Sequence, residues 1–114
     1  MNLLELAITN SETKVFNLLL ASKHLRNETL NHTWKNSTLL LLILYNHKGL
    51  SLKSIDFDDL LYRLTQENIN YQNSKGKTAL DITESLYKKY YFEEKDNDTL
   101  AGLKLLRRRV RWIV

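Results

Sequence analysis

Three short apolar runs each stand directly behind a residue suited to cap a helix: Asn2 before Leu3 and Leu4, Thr38 before Leu39–Leu44, and Thr78 before Ala79 and Leu80. A layout that recurs along a chain constrains the fold more than any single motif, because it makes one supersecondary unit the building block. The cap residues lie 36 and 40 residues apart. Each unit reads as a short helix, a turn, a longer helix, and a polar connection to the next cap. The pattern predicts helices over about 3–9, 12–22, 38–46, 56–65, 78–90 and 98–112, with ends good to about two to four residues.

The local chemistry supports this layout. In the stretch from Ile69 to Ile82, Gly76 can take positive φ at little cost, Thr78 offers its hydroxyl as a cap, and Asp81 three residues on can reach back as in a capping box. Asn2 and Glu5 form a similar pair. Asn10 and Ser11 make a turn, after which Val15, Phe16, Leu18, Leu19 and Leu20 recur at helical spacing. Leu39–Leu44 is apolar all round, which predicts a helix covered on both sides and suits a central unit. Asp56 and Asp98 are the expected caps of the fourth and sixth helices. The chain has no proline and three glycines, consistent with helices joined by short polar turns.

The segment Asn70, Gly76, Thr78, Ala79, Leu80, Asp81 resembles the ankyrin repeat family, whose unit of about 33 residues contains two antiparallel helices. Residues 2–23 align with the helix-turn-helix body of that family, and Leu30-Asn31 parallels Ile69-Asn70 at the junction between units. The family's Pro-Leu-His is absent, and the two intervals exceed 33 residues, the extra length falling near Arg26–Trp34 and His47–Ile55. The resemblance implies an all-α single domain over 1–114, a stack of three ankyrin-like hairpins (an α-solenoid) with units of about 2–31, 32–70 and 71–114. A small helical bundle is the alternative. One hairpin cannot hide its apolar face alone, so three stacking units are the minimum.

Chemistry is sparse. With no cysteine, thiolate metal sites and a cysteine nucleophile are excluded, and a reducing compartment fits. His24, His32 and His47 lack metal-ligand spacing. Asp56, Asp58 and Asp59 suit a helix N-terminus better than a carboxylate site. Gly76-Lys77-Thr78 ends like a phosphate-binding loop, but Tyr71 stands where its first glycine belongs. No catalytic set, metal or cofactor is therefore expected, and the chain is read as a non-enzyme.

The resemblance implies protein–protein binding through the connections, which in this family project beside a groove. The expected contacts are His32, Trp34 and Lys35 on the first connection and Tyr71, Gln72, Asn73 and Lys75 on the second. Trp34 either anchors a partner or folds back over the gap between the first two units. Such a small stack works by occlusion, inhibiting or redirecting its target. A chain rich in Asn, Lys, Ile and Tyr is similar to host-directed effectors of intracellular bacteria or viral proteins, acting in the host cytosol.

The alternative is nucleic-acid binding. Seventeen basic against thirteen acidic residues give a net charge of +4, and Lys104, Arg107, Arg108 and Arg111 gather on the last helix beside Trp112. Leu103, Leu106, Val110 and Ile113 form its apolar stripe. The end Trp112-Ile113-Val114 is a candidate for pairing two copies. The longest apolar run, Leu39–Tyr45, is far shorter than the roughly 20 residues that span a bilayer, and Met1-Asn2-Leu3-Leu4-Glu5 lacks a secretory leader's basic segment and apolar core. A soluble, cytoplasmic protein is expected.

Overall fold

In a computed structural model, residues 2–33 and 37–113 are described. Trp34, Lys35 and Val114, which carry sequence expectations, lie outside them. Every regular element among the described residues is helical: α1 (Leu3–Thr9), α2 (Thr13–Leu20), α3 (Asn27–Leu30), α4 (Leu39–Tyr45), α5 (Phe57–Arg63), α6 (Gln66–Ile69), α7 (Ala79–Lys89) and α8 (Asn97–Ile113). A 3-10 turn at Leu52–Ser54 precedes α5, and a π-helical turn at Tyr90–Glu94 follows α7.

The three repeated caps form. Asn2 Oδ1 accepts from the Glu5 amide at 2.9 Å and Thr38 Oγ1 from the Leu41 amide at 3.2 Å. Thr78 and Asp81 complete a reciprocal capping box. The other two expected caps do not form. Asp56 caps nothing with its carboxylate; its amide instead donates to Asn17 Oδ1. For α8 the cap is Asp96, whose Oδ1 accepts from the amides of Asp98 and Thr99. Lys95, left-handed at φ 51°, ends the preceding turn and sets Asp96 at the head of the helix.

Helix α1 packs on α2 and on α4, α4 on α7, and α7 on α8. Helix α5 lies against α3 and α8, and α8 crosses the Leu52–Ser54 turn. The molecule is elongated, 41 Å long against 29 and 24 Å. As its all-apolar sequence requires, α4 buries five of its seven side chains.

Two features were not legible as helices. α3 and α6 are four residues each, and each ends on an asparagine in nearly the same conformation: Asn31 at φ −92°, ψ 5° and Asn70 at φ −90°, ψ 8°. The equivalence of Leu30-Asn31 and Ile69-Asn70 thus extends to the turn of helix before each. The two turns are stitched side by side. Asn31 Oδ1 accepts from the Thr65 amide, its Nδ2 donates to the Arg63 carbonyl, and Asn68 Nδ2 donates to the Asn31 carbonyl.

Burial departs from expectation at both ends. Leu3, Leu6, Val15 and Leu18 are exposed, Leu18 to 73 %, because α1 and α2 have packed neighbours on one side only among the described residues. Ile113 is also exposed, whereas Leu103, Leu106 and Val110 are fully buried. The side chains of the last turn of α8 reach solvent, while Gln66 Nε2 of α6 donates to the Ile113 carbonyl at 3.5 Å.

Candidate functional site

The connection between α6 and α7 is built around Asn73. Its amide donates to the Lys77 carbonyl, and its carbonyl accepts from the Gly76 amide, closing a turn in which Gly76 sits at φ 74°. Asn73 Oδ1 accepts from the amides of Lys75 and Lys77, and Nδ2 donates to the Tyr45 hydroxyl at 3.1 Å. Asn73 is therefore the strut of the connection rather than its free tip. Gln72 and Lys75 are exposed beside it, and Tyr71 is half-buried against the core. Tyr45, half exposed at the end of α4, joins this surface. Only its place as the one polar-tipped residue of its apolar run could have flagged it. On the first connection His32 is exposed; Trp34 and Lys35 lie outside the described residues.

The second surface is the outward side of α8. Leu103, Leu106 and Val110 face the core, and a helix of 3.6 residues per turn then sends Lys104, Arg108 and Trp112 outward as one row. A shallow groove runs between these three with Arg107 and Arg111. The flanking arginines are tied down. On one side Arg107 Nε meets Glu84 Oε1 at 2.7 Å, with its guanidinium 4.6 Å from the centre of the Tyr87 ring, and Arg111 reaches the same Glu84 oxygen at 2.9 Å. On the other, Arg109 pairs with Asp58 of α5 at 2.9 Å. Glu84, Tyr87 and Asp58 lie 20 or more residues away from the arginines they meet, so the sequence showed the charges but not which of them were spent. Trp112 is 84 % exposed.

From the Arg107 contact an aromatic row continues. Tyr87 stacks with Tyr91 at 5.9 Å between centroids, and Tyr91 meets Phe92 edge-on at 4.9 Å. Tyr91 and Phe92 are exposed, whereas Tyr90 turns inward. There its hydroxyl meets His47 Nε2 at 2.8 Å, while His47 Nδ1 lies 2.8 Å from the Leu44 carbonyl. A carbonyl only accepts, so Nδ1 carries a proton and donates to it, and the ring bridges the end of α4 to the Tyr90 hydroxyl. Burial pushes the Tyr90 phenol above its ordinary value, and the neighbouring Glu94 charge adds to the shift.

His24, His32 and His47 belong to no metal set: among the described residues there is no group of three His, Asp or Glu side chains placed to hold a metal. Gly76-Lys77-Thr78 is a helix-capping turn. No helix among the described residues is long and apolar enough to cross a membrane. No protein-family model matches the chain, and neither a curated protein nor a solved structure matches it.

Proposed function

We propose that the chain is a short stack of three ankyrin-like hairpins, units of about 2–31, 32–70 and 71–114, and that it binds another protein without catalysis. The order in which α1, α4 and α7 pack supports the stack, as does the repeated turn of helix before Asn31 and Asn70. The observation that carries the binding reading is the rigidity of the 71–77 connection. Asn73 holds that turn with five hydrogen bonds, one of them to Tyr45 on the preceding unit's first helix. A surface fixed before contact loses little ordering entropy on association. Gln72 and Lys75 then present their side chains from a preformed base, with Tyr45 beside them and His32, Trp34 and Lys35 on the first connection. A module of this size acts by covering part of its target, in the cytosol, and so inhibits or redirects it.

The test is quantitative capture from the native cell with wild-type protein, Trp34→Ala, and Gln72→Ala/Lys75→Ala. The reading expects one saturable protein partner whose binding falls at least tenfold in either variant. A partner retained equally by both variants, or no saturable partner, overturns it.

A further inference from the structure

We infer that the outward face of α8 is a binding site for single-stranded nucleic acid, with Lys104, Arg108 and Arg111 on the phosphates and Trp112 stacked on a base. The face belongs to the last hairpin, away from the 71–77 connection, and the inference stands or falls independently of protein binding there.

The division of labour among the α8 cations comes first. Arg107 and Arg109 diverge to opposite flanks, where Glu84 and Asp58 hold them against α7 and α5. They fix the helix to its neighbours. Lys104 and Arg108, between those flanks, have no ion pair among the described residues, and Arg111 shares its single carboxylate with Arg107. Four cations thus line the groove against one acid, leaving three positive charges uncompensated.

Helix stabilisation accounts for Arg111, in the last turn of α8, but not for Lys104 and Arg108. The attraction of cations to a helix C-terminus is confined to its last turn, and Lys104 sits near the middle of Asn97–Ile113. Lys104 and Arg108 are also like charges one turn apart, which opposes the helix. A polyanion laid along the row removes that repulsion and releases its own counterions on binding. The row steps about 6 Å from Lys104 to Arg108 and again to Trp112, four residues at about 1.5 Å each.

The aromatic groups select the kind of polyanion. Trp112 is almost fully exposed, and its flat face lies at the end of the cation row. Tyr91 and Phe92 expose further ring surface beyond Arg107 and Tyr87. An acidic peptide would use the cations and leave these rings idle. An anionic lipid surface requires a broad apolar face on the helix, whereas the outward positions between Lys104 and Trp112 are charged. A duplex keeps the faces of its bases inside its own stack. A single strand offers phosphates and free base faces together, and that pairing is how strands are bound without sequence preference.

The experiment is fluorescence anisotropy of a labelled oligothymidylate titrated with the full chain over a series of salt concentrations. Circular dichroism is recorded for each variant to establish its fold. Saturable binding is expected, with the logarithm of affinity falling against the logarithm of salt with a slope of about −2, three contacts at about 0.7 each. Lys104→Ala/Arg108→Ala should weaken binding at low salt at least tenfold and cut the slope to about −0.7. Trp112→Ala should weaken it about fivefold or more with the slope unchanged. Arg109→Ala, whose side chain faces α5, should bind like wild type. The inference is overturned by no saturable binding at low salt, or by unchanged affinity in the Lys104/Arg108 or the Trp112 variant. Tighter binding to polyglutamate or to phosphatidylserine vesicles than to the oligonucleotide at equal salt overturns it as well.

Discussion

Arg63 shows how far one side chain reaches in a domain of this size. From the end of α5 its guanidinium donates to the Leu20 carbonyl, the Leu25 carbonyl and Asn27 Oδ1, each at 2.8 Å. It closes the C-terminus of α2 and pins the loop that follows. Asp59, 3.9 Å away and half exposed, adds little. The Arg63→Ala variant loses three charge-assisted bonds and strands partly buried carbonyls, so it should lower unfolding stability by about 2–4 kcal/mol in urea. Arg63→Lys, a single point charge in place of a planar fork, should recover less than half. In the sequence Arg63 is an unremarked basic residue after Leu60-Leu61-Tyr62, because its partners lie about 40 positions upstream. Tyr90 gives a second residue-scale expectation. Its phenol is held above the ordinary value near 10 when folded. As pH rises past 10 the unfolded chain loses this proton first and binds fewer protons than the folded one, so stability falls. Denaturation curves between pH 9 and 11 should decline less steeply for Tyr90→Phe than for wild type. At neutral pH the variant should be about 0.5–1.5 kcal/mol less stable through loss of the His47 bond.

At the scale of elements, legibility follows the range of the interactions that make each one. The helices headed by Asn2, Thr38 and Thr78 are readable because cap and apolar run lie within four residues. α3 and α6 are not, since a single turn of helix has no periodicity to detect and is held by Asn31 and Thr65 across the junction. The cation row of α8 is readable from its spacing of four, but the separation of bound from unbound arginines depends on α5 and α7. Gly102 is the sharpest case. A glycine inside a helix costs about 1 kcal/mol relative to alanine, which alone would make Gly102→Ala stabilising. Yet a Cβ there would collide with Leu52 Cβ and stand 2.6 Å from the Leu52 carbonyl carbon and 2.8 Å from the Lys53 amide nitrogen. Two of the three obstacles are backbone of the turn that α8 crosses. The helix must shift away, and Gly102→Ala should lower thermal stability by about 1–3 kcal/mol despite its better helix propensity.

At the scale of the molecule, the two readings of the fold, a stack or a bundle, differ in how protection against solvent is distributed. In a stack each unit touches only its neighbours, so stability is a chain of local interfaces and the central unit has two of them. α4 packs on both α1 and α7, and Leu40, Ile43 and Leu44 are inaccessible to solvent. α2, by contrast, exposes Val15 and Leu18, and α8 exposes Lys104, Arg108 and Arg111. A bundle around one shared centre would give all the long helices an equal share of that centre. Native-state hydrogen exchange separates the two, because amides open either locally or only with the whole molecule. For a stack, the amides of Leu42–Tyr45 should exchange only by global unfolding. Those of α2 and of the last two turns of α8 should exchange through smaller openings, faster by about tenfold for each 1.4 kcal/mol of difference. Destabilising the first hairpin with Phe16→Ala, at a cost of about 3–5 kcal/mol, should speed exchange in α1 and α2 far more than in α8. Uniform protection across α1, α4, α7 and α8, accelerated equally by that substitution, would instead identify a single cooperative core, and the connections would lose their status as the edge of a stack.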